Sequence, residues 1–125
     1  GLKKSKTLFG ITAWEGKTMI VVESPLDAVK CGGVALCGAT VSDSQFDLMR
    51  KADKLIIAFD NPEVDTAGAK ALEDFKVEAR KRGIEYWVFN YGPTGTKDIG
   101  DMSPNAIRWG IENATHCVRL GVVRS

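Results

Sequence analysis

Metal-ligating side chains of the nitrogen and sulfur kind are scarce in this 125-residue chain, with one histidine and three cysteines. Cys31, Cys37 and Cys117 form no CxxC pair, so a zinc ribbon is excluded. They read as small apolar fillers of a reduced, cytoplasmic protein. His116 is the sole histidine, has no ligand partners, and reads as a bystander. No apolar run is long enough to span a membrane and no signal peptide is visible, so no membrane partner is expected. An excess of either charge is missing too: 17 Lys and Arg face 16 Asp and Glu, for a net charge of +1. That balance demands no strongly anionic partner, yet a nucleic-acid enzyme whose acidic metal site offsets its basic residues would share it. The glycine-rich stretch Gly92-Pro93-Thr94-Gly95-Thr96-Lys97 has no Ser or Thr after its lysine, which excludes a P-loop. Repeats, linkers and low-complexity segments are absent. So is a starting methionine: Gly1 reads as a tag scar, and residues 1–125 as one domain excised from a larger protein.

What is present is an alternation of short apolar runs and amphipathic stretches. Met19-Ile20-Val21-Val22 reads as a buried strand that ends at Glu23. Ser24-Pro25-Leu26-Asp27 opens a helix that Gly32-Gly33 stops. Val34 to Cys37 is a second strand. Ser42-Asp43-Ser44-Gln45 is a capping box opening a second helix. Lys54 to Phe59 is the third strand, and a helix from Pro62 to Arg82 follows, with Asn61 as its expected cap. Ile84 to Phe89 is the fourth strand. A loop from Asn90 to Asp101 leads to a last helix opened by Ser103-Pro104. Cys117 to Val123 reads as a short strand or as a segment needing a neighbouring domain. The pattern predicts an α/β fold: a mostly parallel, four-stranded, Rossmann-like sheet with helices on both faces.

In such a sheet the carboxyl ends of the parallel strands share one edge, where ligands bind. Glu23 ends the first strand and Asp60 the third, with Glu63 and Asp65 just beyond. Lys97, Asp98 and Asp101 lie in the loop after the fourth. Acids at a helix start also serve as caps, and for Asp60 and Asp65 the capping and functional readings both stand. The recurrence of acids just after apolar strands favours function. Clustered carboxylates repel one another unless a hard divalent cation offsets them.

These residues resemble a known family. Glu23 after an apolar strand, followed by Asp27-Ala28, is similar to the first motif of the Toprim domain. Asp60 with Asp65-Thr66-Ala67-Gly68 resembles its second motif, DxDxAG. Lys97-Asp98-Ile99-Gly100-Asp101 resembles the Lys-Asp motif of primases. The ending Asp101-Met102-Ser103-Pro104 with Trp109-Gly110-Ile111-Glu112-Asn113-Ala114 looks most like phage-type or plasmid-type DnaG-like primases. There are two departures. Asn61-Pro62-Glu63-Val64 separate the paired aspartates, making Glu63 a rival to Asp65, and Ser24 stands where primases often have glycine.

The resemblance implies a catalytic Toprim domain making RNA primers on a DNA template by magnesium-dependent nucleotidyl transfer, with manganese as a substitute ion. It implies Glu23, Asp60, Asp65 and Asp98 as catalytic and metal-binding residues, with Glu23 as ligand or general base. Lys97 would contact phosphate or pair with Asp98, and Asp101 would support the site or cap a helix. DNA template, nucleotide triphosphates and other primase or helicase domains would be partners through the parent protein, in a phage-infected or plasmid-bearing cell. A Toprim nuclease, a receiver-like phosphoacceptor built on Asp60, and a binding module without activity are the alternatives.

Overall fold

Met19, Ile20, Val21 and Val22 leave no polar face, so the strand they form has to be covered on both sides. It is, in a computed structural model that describes residues 6–38 and 40–117. This strand, β1 (Thr18–Val22), pairs in parallel with β3 (Lys54–Ile57), Met19 opposite Leu55 and Ile20 opposite Ile56. Successive side chains of a strand point to opposite faces. Met19, Val21, Leu55 and Ile57 therefore enter one core, with Phe46, Leu72, Phe75 and Ala79. Ile20, Val22 and Ile56 enter the other, with Ala28, Ile99, Met102 and Ile107.

The helices divide accordingly. α2 (Asp43–Met49) and α3 (Thr66–Arg82) supply the first core. α1 (Pro25–Cys31) and α4 (Pro104–Glu112) supply the second. β2 (Val34–Ala35) flanks β1, and β4 (Tyr86–Val88) flanks β3, both in parallel. The predicted α/β class, parallel core and two-sided helices are all found.

Three expectations change. The sheet has five strands in the order β2-β1-β3-β4-β5, not four. β5 (Thr115–Cys117) runs antiparallel to β4, with His116 opposite Trp87. Its three residues carry no apolar alternation; pairing with β4 and the stacking of His116 on Trp87, 4.5 Å between ring centroids, hold it. The remainder of the Cys117–Val123 segment lies outside the described residues, as do Lys3 and Lys4. β3 also stops at Ile57, although Ala58 and Phe59 stay buried beyond it.

The third change concerns α3, which begins at Thr66 with Asp65 as its cap, not at Pro62 with Asn61. Asn61 caps something smaller. Its side-chain oxygen accepts from the Glu63 N–H, and its carbonyl accepts from Val64 and Asp65. An asparagine closes such a turn as readily as it caps a helix. The proline after it is compatible with both.

Gly68 brings α3 against the sheet. A Cβ there would lie 2.3 Å from the Asp60 carbonyl oxygen. Only a residue without a side chain lets helix and strand end approach so closely.

Candidate metal centre

The carboxyl ends of β1 and β3 are neighbours because the two strands are parallel and adjacent. Glu23 directly follows β1, and its Oε1 accepts the Asp60 backbone N–H at 2.8 Å. The two strand ends are thus tied by one carboxylate. Asp60 follows β3 and is partly buried.

Asp98 arrives on the loop after β4. It caps a short 3-10 helix, Ile99–Asp101, its Oδ1 accepting from the Asp101 N–H at 3.2 Å. Ile99 beneath it is buried in the second core, which anchors the loop to the sheet.

Asp27 is the third member. Ser24 caps α1 by accepting the Asp27 N–H, which places Asp27 in the first helical turn, facing the same edge. Asp27 is 5% exposed, and its Oδ1 accepts the Gly100 N–H at 2.9 Å. A Cβ on Gly100 would stand 2.8 Å from that oxygen, so the loop reaches Asp27 because it has a glycine there. Oxygens of Asp27, Asp60 and Asp98 all lie within 4.8 Å of one another.

Such crowding shows in the proton equilibria. Burial pushes the Asp60 carboxyl up to about 7, and the charges of Glu23, Asp98, Asp27 and Asp65 add to the push. Burial and the Asp98 charge raise Asp27 as well. Tyr91, buried behind the acids, is raised by burial and by the same negative field; its hydroxyl donates to the Phe59 carbonyl at 2.8 Å. Three hard oxygen donors that resist sharing their negative charge fit a divalent cation such as magnesium, which takes one or two carboxylates and keeps places for water and phosphate.

The other residues singled out in the sequence are placed as follows. Asp65 caps α3, its Oδ2 accepting from Gly68 N–H at 3.3 Å, and it touches the pocket through its charge. Glu63 is exposed on the turn that Asn61 closes. Lys97 is exposed and forms no ion pair with Asp98 or any other acid among the described residues. Asp101 is exposed and contributes its backbone N–H to Asp98. Asp27 belongs to a helix start and to the first motif in the sequence, and the structure adds it to the acidic cluster. The signal for its second role was its place in the first turn of a helix that begins where a buried strand ends.

By contrast, the acids of α3 are already paired. Lys70 holds Asp74 at 2.9 Å, Lys76 holds Glu73 at 3.2 Å, and Arg82 holds Glu78 at 2.6 Å. Acidic residues are spread over the chain, but those at the strand ends lack such basic partners among the described residues.

Residues 20–103 match the sequence profile of the family described as Toprim-like. No curated protein sequence matches the chain significantly. Among solved structures, it is similar to the DnaG primase catalytic domain bound to ssDNA, with TM-score 0.74 and 19% identity over 92% of this chain and 41% of that one. The E. coli primase catalytic core gives TM-score 0.72 and 19% identity, with 92% and 41% covered. The Aquifex aeolicus primase, comprising zinc-binding and RNA polymerase domains, gives TM-score 0.73 and 22% identity, with 93% and 32% covered. At these identities the likeness is one of fold. The chain spans about two fifths or less of each primase structure.

Proposed function

The chain belongs to the Toprim-like family, and on that premise we propose that it is the catalytic domain of a phage-type or plasmid-type DNA primase, joining nucleotides into RNA primers on a DNA template. The observation that carries this reading is the meeting of Asp27, Asp60 and Asp98 at the carboxyl edge of a sheet shared with primase catalytic domains. Asp27, Asp60 and Asp98 would hold magnesium, or manganese in its place. When bound, the cation supplies neutralisation of the charge on the phosphates of an incoming nucleotide triphosphate.

The chain's own residues do the rest. Glu23 spends one oxygen on the Asp60 N–H and so fixes the backbone that presents Asp60. Its charge and that of Asp65 deepen the negative potential that draws the cation in. Lys97, exposed and without an ion-pair partner among the described residues, is free to meet a nucleotide phosphate. DNA template, nucleotides and the remaining primase or helicase domains belong to the parent protein in this reading.

Asp60→Asn and Asp98→Asn in the parent should each abolish primer synthesis on single-stranded template, with the fold retained. Manganese titration of the chain should broaden the amide signals around Asp27, Asp60 and Asp98 first. Broadening centred on Glu73, Asp74 and Glu78 would reject the site. Metal-dependent strand cleavage without primer synthesis would replace the primase reading with a Toprim nuclease.

A further inference from the structure

Two halves of the acidic site come from distant parts of the chain, and one residue joins them. Asn61 is 4% exposed and directly follows Asp60. Its backbone N–H donates to the Lys97 carbonyl at 2.7 Å. Its side-chain Nδ2 donates to the Thr96 carbonyl at 2.9 Å. Its Oδ1 accepts from the Glu63 N–H at 3.1 Å, and its own carbonyl accepts from Val64 and Asp65 at 3.1 and 2.9 Å. Every polar group of this buried residue is therefore used, in two directions: the turn into α3 and the loop that carries Asp98.

We propose that Asn61 is the positioning residue of this site, clamping the Thr96–Lys97 backbone so that Asp98 stands beside Asp60. The side chain suits the task. An amide offers a donor and an acceptor at once, so one residue can close its own turn with oxygen and grip a second segment with nitrogen. A serine or aspartate here would keep the turn and the backbone bond to Lys97 but lose the side-chain grip on Thr96. From the other side, Asp27 and Lys30 hold the same loop at Gly100, at 2.9 Å to its N–H and 3.1 Å to its carbonyl. Those contacts set the loop's distance from α1. Among the described residues, Asn61 supplies the direct hydrogen bonds between the segment next to Asp60 and the loop backbone just before Asp98. This also gives a purpose to the residues Pro62–Val64 that separate Asp60 from Asp65. They wrap around the Asn61 oxygens and leave its nitrogens aimed at the loop.

The inference rests on the metal reading for its consequence, but not for its test. The test compares the chain with Asn61→Ser, which retains an oxygen for the Glu63 N–H and lacks the donor to Thr96. Without metal, amide exchange at Gly100 and Asp101 should quicken about tenfold, while Ile56 and Ile57 in β3 keep wild-type rates. With manganese, affinity should fall about 10- to 100-fold, the range typical when a supporting partner of a ligand is lost. Broadening should then remain at Asp60 and fade at Asp98. Asn61→Asp preserves the shape and turns the grip into a repulsion between oxygens, so it serves as the second variant and should quicken loop exchange further. Unchanged exchange at Gly100 and Asp101 in both variants overturns the clamp. Wild-type protein that fails to broaden at Asp60 overturns the metal reading alone, and the exchange rates then still decide the clamp.

Discussion

At the residue scale, Asp60 carries the sharpest consequence. Its carboxyl titrates near 7 in the folded chain, above the 3.8 of an unstrained aspartate. The folded state thus holds a proton that the unfolded state has released. Between those two values stability falls as pH rises, and above about 7 the full cost of the charge is in force. Asp60→Asn removes that cost. Its melting temperature should exceed wild type at pH 8, with the gain shrinking below about 7 and vanishing only as pH falls to about 3.8, as thermal denaturation at several pH values would show. An equal gain at every pH would mean that the crowding is relieved in some other way. The same substitution should end primer synthesis in the parent, so stability and activity would move in opposite directions.

Among the elements, α3 meets the site at a single glycine. Gly68→Ala would drive a methyl into the Asp60 carbonyl, 2.3 Å from where it would sit, and neither backbone can yield without moving the other. Overpacking of this kind costs roughly 1–3 kcal/mol. Urea denaturation should show that loss, and manganese binding should weaken with it because Asp60 is displaced. Further along α3, the last turn reaches α2: Arg82 pairs with Asp43 and lies over the Phe46 ring at 4.4 Å. This end is at the opposite edge from the acids, so Arg82→Ala should lower the urea midpoint only slightly and leave metal binding unchanged.

For the whole molecule, charge and length set the limits. Affinity for a DNA duplex comes mainly from basic residues that neutralise phosphates, with a salt dependence that grows with their number. Net charge here is +1, and Arg80, Lys81 and Arg82 cluster at the C-terminal end of α3, away from the acids. The isolated chain should bind manganese, bind DNA weakly with a shallow salt dependence, and make no primers. On the primase reading, a longer form that carries a basic template-binding region should make primers. Fluorescence anisotropy across a salt series and a primer-synthesis assay would check both parts. Primers made by residues 1–125 alone would refute this division of labour.

Much of the fold was legible because burial on two faces leaves a strong mark: unbroken apolar runs at β1 and β3, and helical spacing through Leu72, Phe75 and Ala79. Capping chemistry was legible where one residue pattern has one outcome, as in the capping box of Ser42 and Gln45. It misled at Asn61, where the same side chain serves a turn as well as a helix. β5 left no mark, since three residues at a sheet edge need no apolar face. The sequence by itself determined that acids follow buried strands, and a parallel sheet puts strand ends on one edge. Which acids meet was decided by the tertiary structure. Asp27 joins Asp60 and Asp98 because Gly100 allows the loop to approach it, while Asp65 turns to cap α3. Those outcomes depend on distances of a few ångströms between segments far apart in the chain, and local patterning carries no record of them.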